Sequence, residues 1–102
     1  MTDAFDELIH APTRLTLMSL LAASEWAEFR FLRESAGLSD SALSKQLSTL
    51  EQAGYVEIRK GFVGKRPRTW ARLTRRGRSA FASHVAALQA IVARAGSSVL
   101  PG

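Results

Sequence analysis

The sequence predicts a mainly α-helical domain that carries one small β-hairpin, and three observations predict it. Apolar residues recur at helical spacing up to Leu50 and again after Thr74. Between them, two alternating stretches flank a segment holding two glycines and a proline. The chain has 102 residues, 46% of them hydrophobic, which suits one globular domain over 1–102 with a modest core.

Asp3 to Ile9 reads as a short helix with Phe5, Leu8 and Ile9 on one side. Pro12 suits the first turn of a second helix, from about Thr13 to Ala23, whose leucines occupy more than one face. Trp26 to Phe29 is ambiguous between a loop and a brief strand. Arg30 to Ala36 follows as a third helix, with Phe31 and Leu32 inward and Arg30 and Arg33 outside. Gly37 can take the left-handed conformation that ends it. Ser39 then stands where an N-cap is wanted. In the fourth helix Leu43, Leu47 and Leu50 make one buried stripe, and Ser41, Ser44, Lys45, Ser48 and Thr49 occupy the other side.

After Gly54, Val56 and Ile58 alternate with Glu57 and Arg59, and Thr69, Ala71 and Leu73 alternate with Arg68, Trp70 and Arg72. The connection from Gly61 to Pro67 reads as a projecting loop with Lys65 and Arg66 at its tip and Arg68 beside them. Phe62 and Trp70 could stack on nucleic-acid bases, but Phe62 is expected rather to anchor this loop, and Trp70 to pack partly against the last helix. Thr74 can cap that helix, which runs to about Ala95 with Phe81, Val85, Leu88 and Val92 in a heptad-like seam. Gly96 to Gly102 reads as a frayed tail.

Charge is divided unevenly along the chain. Residues 1–57 hold four cations and all nine acids, whereas residues 58–102 hold ten cations and no acid. Nine of those ten lie between Arg59 and Arg78. A charge run is usually a solvated face, but one without compensating acids over such a length more often meets an anionic partner. A helix with leucines inside and short polar groups plus one lysine outside fits a nucleic-acid groove, because small side chains allow close approach. It also fits an ordinary surface helix. A hairpin with a basic tip directly after it favours the first reading and defines a winged helix–turn–helix, in which the helix enters a major groove and the wing reaches the adjacent backbone or minor groove.

The segments LSxSxLSxxLxxLExAGYV and KGFVGKRPRTWxRLTxxGRxAF, with HAPTRLTLMSLL upstream, resemble the compact winged-helix regulators related to the MarR and ArsR families of bacterial transcription factors. The resemblance covers most of the chain. It implies double-stranded DNA as partner, a homodimer and repression. It also implies that Ser41, Ser44, Lys45 and Ser48 face DNA, with Lys65 and Arg66 at the wing tip. Thr49, Arg59, Arg68, Arg30 and Arg33 join the DNA-facing set as further candidates. Two departures stand out. MarR-type proteins have longer terminal helices around a ligand pocket, so an effector stays open. Arg75 and Arg76 stand where the family often has acids, which suggests either phosphate contact or pairing with Glu51 or Glu57.

The first and last helices carry more apolar surface than so small a domain easily hides. A two-fold interface through Phe5, Leu8, Ile9, Phe81, Val85, Leu88 and Val92 accounts for it. Zero cysteines exclude thiolate metal sites and suit a cytoplasmic location. His10 and His84 lack the neighbours of a metal site, and His10 suits a cap or surface role. No catalytic constellation, cofactor motif, membrane span or secretory leader is expected. A protein–protein module or a structured-RNA binder on the same scaffold is the alternative function.

Overall fold

Local capping chemistry places most of the helices. In the computed structural model, which describes residues 5–99, Asp6 Oδ1 accepts hydrogen bonds from the amides of Leu8 and Ile9 and starts α1 (Glu7–His10). Asp3 and Ala4 of the expected first helix lie outside the described residues. Pro12 opens α2 (Pro12–Ala22). Ser39 accepts from the Ala42 amide at 3.1 Å and starts α4 (Asp40–Gln52), after α3 (Phe29–Ala36) has ended on Gly37 at φ +66°. The Thr74 hydroxyl accepts from the Gly77 amide at 3.0 Å and donates to the Gly54 carbonyl at 2.6 Å, capping α5 (Arg75–Val99). That last helix runs straight through Gly96, so Gly96 to Val99 is helical rather than frayed.

Trp26 to Phe29 resolves into a two-residue strand, β1 (Ala27–Glu28). It pairs antiparallel with β3 (Arg66–Leu73), which pairs in turn with β2 (Val56–Val63), giving the order β1-β3-β2. The strands of the hairpin are longer than expected. Gly61 and Pro67 lie inside them, and the loop shrinks to Gly64 and Lys65, with Val63 opposite Arg66. Gly64 has φ +63° and Lys65 is not in the positive-φ region, the pattern of a type II′ turn with glycine first.

The core gathers Leu17, Met18 and Leu21 of α2, Leu32 of α3, Leu43, Leu47 and Leu50 of α4, and Val56, Ala71 and Leu73 of the sheet. Two expectations about it are corrected. Ile9 is fully buried in this core, so it has nothing to offer a partner subunit. Phe31 is 48% exposed, and Phe29 packs inward in its place. Residues 29, 32 and 36 follow helical spacing on one face, and Phe31 falls off it.

Asp6 joins three parts of the fold. Its second carboxylate oxygen accepts from the Tyr55 hydroxyl, and its amide donates to His84 Nδ1 at 2.9 Å. Arg14 adds a further tie, donating to the Leu8 carbonyl at 2.6 Å and to Gln46 of α4 at 3.0 Å. His84 is fully buried, with the rings of Phe5 and His10 centred 4.7 and 5.4 Å away. Accepting at Nδ1 leaves the proton on Nε2, which has no hydrogen-bond partner among the described residues. Burial, and then the neighbouring His10, push the His84 pKa below its ordinary value. The unfolded chain therefore binds the proton more readily than the folded one. Stability from this site is complete above about pH 6.5 and declines as pH falls towards the folded-state pKa. Thermal melts across pH 8 to 5 should show that decline, and His84→Gln should flatten it.

Candidate nucleic-acid interface

The outer side of α4 and the inner side of the hairpin enclose one cleft. Its walls include Ser44, Ser48 and Glu51 of α4, Asp40 at the helix start, and Ile58, Lys60 and Thr69 of the sheet. The leucine stripe fixes the helix face, since Leu43, Leu47 and Leu50 are each at most 2% exposed. Ser41, Ser44 and Lys45 are thereby turned to solvent, with Ser48 and Thr49 half-buried. The Thr49 hydroxyl donates to the Lys45 carbonyl at 3.1 Å, so its proton is used within the helix.

The expected cations separate into free and committed groups. Lys45, Lys65 and Arg66 form no ion pair among the described residues, and all three are exposed. Arg30 binds Glu34 at 3.0 Å, one helical turn on, and Arg33 binds Asp40 at 2.7 Å across the turn into α4. That contact, chiefly its hydrogen bond, raises the Arg33 pKa further. Arg68 binds Glu28 at 2.9 Å, clamping β1 to β3. These three arginines are largely neutralised, although surface pairs of this kind are weak and exchange readily with phosphate.

Arg59 falls on the other face of the sheet. Alternation from Lys60 turns it away from the cleft, and its guanidinium lies 4.6 Å from the Trp26 ring centre. Arg72, bonded to Glu57 at 2.7 Å, meets the same ring at 4.5 Å. Trp70 belongs to this outer face too. It does not pack on α5 as expected. It lies over Gly61, where a Cβ would stand 3.2 Å from the indole. Arg75 and Arg76 meet neither Glu51 nor Glu57, and Arg76 lies over the Tyr55 ring at 5.8 Å. Arg78 donates to the Ala22 and Ser24 carbonyls and holds the end of α2.

One candidate was missed. Lys60 stands in the cleft between α4 and the hairpin, on the same strand face as Val56 and Ile58. Continuing that period-two pattern by one step identifies it. Phe62, expected as an anchor, is 71% exposed instead.

The order of elements, the cleft and the free basic tip define a winged helix–turn–helix domain. A model of the winged helix DNA-binding domain family matches residues 13–92, and the chain belongs to that family. It is similar to protein MJ0432 of Methanocaldococcus jannaschii, with 32% identity over 79 residues covering 78% of this chain and 86% of the other. The solved transcriptional regulator homologue of Pyrococcus horikoshii superposes with a TM-score of 0.79 at 25% identity, over 85% of this chain and 86% of that one. The homodimeric winged helix-turn-helix DNA-binding domain Mb0332 of Mycobacterium bovis has the same fold, with a TM-score of 0.61 at 21% identity, over 94% and 81% of the two chains. Among the described residues no helix is long and apolar enough to cross a membrane. None of their histidine and carboxylate groups gathers three or more residues that could hold a metal ion.

Proposed function

We propose that this chain is a sequence-specific DNA-binding transcriptional regulator, working as a homodimeric repressor on a pseudo-palindromic operator. The observation that carries the reading is the free Lys45 on the exposed face of α4 beside a wing whose tip holds the free Lys65 and Arg66. Ser41, Ser44 and Lys45 reach base edges in the major groove. Lys60 lines the channel between helix and wing, and Lys65 and Arg66 grip phosphates across the adjacent groove. Arg30, Arg33 and Arg68 serve as weaker contacts once their acids are exchanged for phosphate, and Ser48 sits at the edge of the helix contact.

The dimer is supported by α5. At about 1.5 Å per residue its 25 residues extend about 37 Å, in a molecule 63 Å long but only 28 and 20 Å across. Its outer half leaves Ile91 and Val92 exposed, 43% and 68% respectively. Phe5 is exposed as well, at 38%, Leu8, Val85 and Leu88 are partly covered, and Phe81 packs on the core.

Titration with duplex DNA at several salt concentrations tests the reading. Lys65→Ala with Arg66→Ala should weaken operator and random DNA alike. Each lost phosphate contact should lower the log–log salt slope by about 0.9. Lys45→Ala should cost about 1–3 kcal/mol on the operator and little on random DNA. A chain that prefers duplex RNA, or binds neither duplex, refutes the reading.

A further inference from the structure

The tip of the wing is apolar as well as basic. Phe62 stands opposite Pro67 in the β2–β3 register, and both are exposed. Residues that flank a two-residue turn form a hydrogen-bonded pair, which makes Phe62 and Pro67 the next, non-hydrogen-bonded pair. Cross-strand side chains approach most closely at such a pair. Counting in twos along β2 from Ile58 and Lys60, which line the cleft, puts Phe62 on the face turned to α4. Lys60 lies two residues back on the same strand face, and Lys65 and Arg66 follow at the turn.

An exposed phenylalanine on so basic a hairpin does not suit a second copy of the same strand, since like charges would meet. It does suit a partner that is anionic outside and apolar within. Duplex DNA is such a partner, with phosphates at the rim and stacked bases beneath. Phenylalanine and proline are among the side chains that wedge between base steps from the minor groove.

We infer that Phe62, backed by Pro67, is an apolar wedge that enters the minor groove beside the segment read by α4 and partly unstacks one base step. Lys65 and Arg66 hold the flanking phosphates while it does so. The inference rests on the DNA-binding reading above and adds a sequence preference that needs no hydrogen bond to a base. Pyrimidine–purine steps unstack most easily, so the wing should favour a TA step over a GC step.

The test uses the full chain and two duplexes that differ only in a TA or GC step, with 2-aminopurine beside that step. Saturating native protein should raise the 2-aminopurine fluorescence of the TA duplex. Phe62→Ala should abolish the rise and lose about tenfold in affinity, at the low end of a base–aromatic contact. Phe62→Leu should keep part of both effects. Lys65→Ala with Arg66→Ala should weaken binding yet keep the rise at saturation. Circular dichroism should show each variant folded, since the replaced side chains are solvent-facing. Tight binding by the native chain with no fluorescence change overturns the wedge and leaves the DNA-binding reading intact. So does equal affinity of Phe62→Ala, or a change in self-association alone. Absence of binding to either duplex overturns both readings.

Discussion

Gly77→Ala should lower the melting temperature on the order of 10 °C. A Cβ at this position would stand 2.0 Å from the Tyr55 carbonyl oxygen and 2.8 Å from its carbon, both backbone atoms. Exchanging glycine for alanine inside an exposed helix ordinarily gains about 1 kcal/mol. Overpacking against backbone costs about 1–3 kcal/mol or more and outweighs that gain, because neither α5 nor the start of β2 can move alone. Tyr55 is tied to Asp6 by its hydroxyl, and its carbonyl already accepts from the Thr74 amide at 3.0 Å. For a domain of this size each kcal/mol corresponds to about 4–8 °C. Differential scanning calorimetry on the native chain and the variant decides it, and an unchanged or raised melting temperature would show that α5 stands further from Tyr55 in solution.

Val92→Asp should separate the proposed dimer into folded monomers. At 68% exposure, Val92 contributes little to the isolated domain, so its replacement leaves the melting temperature of the monomeric fold nearly unchanged. In a two-fold seam the same carboxylate would be buried opposite its own copy, which is costly for an unpaired charge. Loss of the second half-site removes the advantage of linked binding, about 10²-fold or more on a palindromic operator. Leu88→Asp, half-buried within one chain, should do the same with some loss of stability. Sedimentation equilibrium with operator titration reads both effects. A native chain that is monomeric at micromolar concentration and still binds its operator tightly would overturn the dimer.

Much of this fold was legible because its signals are local. Ser39, Gly37 and Thr74 act within one turn of themselves, and each cap formed as its chemistry dictates. The wing was misjudged because Gly61 and Pro67 look like loop residues. Pro67 is tolerated in β3 because it occupies a non-hydrogen-bonded position beyond the reach of β1, which pairs only with Trp70 and Ala71. Gly61 admits the Trp70 ring. The sequence Gly-Lys between two alternating stretches was itself the type II′ signal.

The candidate interface was legible in outline and less so in detail. Leu32 alone does not set the phase of α3, and a helix begun at Arg30 puts Phe31 inward and leaves Phe29 outside it. The pair Arg30–Glu34 follows from helical spacing, whereas Arg33–Asp40 and Arg68–Glu28 depend on how separate elements meet. No local pattern shows that Trp26 folds back between Arg59 and Arg72, or that His84 reaches Asp6 across the whole chain.

The two-residue turn makes the wing a stiff gauge rather than a tether. A seven-residue loop would have to surrender its freedom at each encounter, at about 1–2 kcal/mol per ordered backbone residue. A hairpin paired to its last residues has made that sacrifice during folding. Lys65 and Arg66 therefore arrive at a set height above α4, and a duplex whose groove does not match that span must itself deform to be held. Selectivity for groove width follows from the rigidity of the hairpin, with the energetic burden of mismatch placed on the nucleic acid.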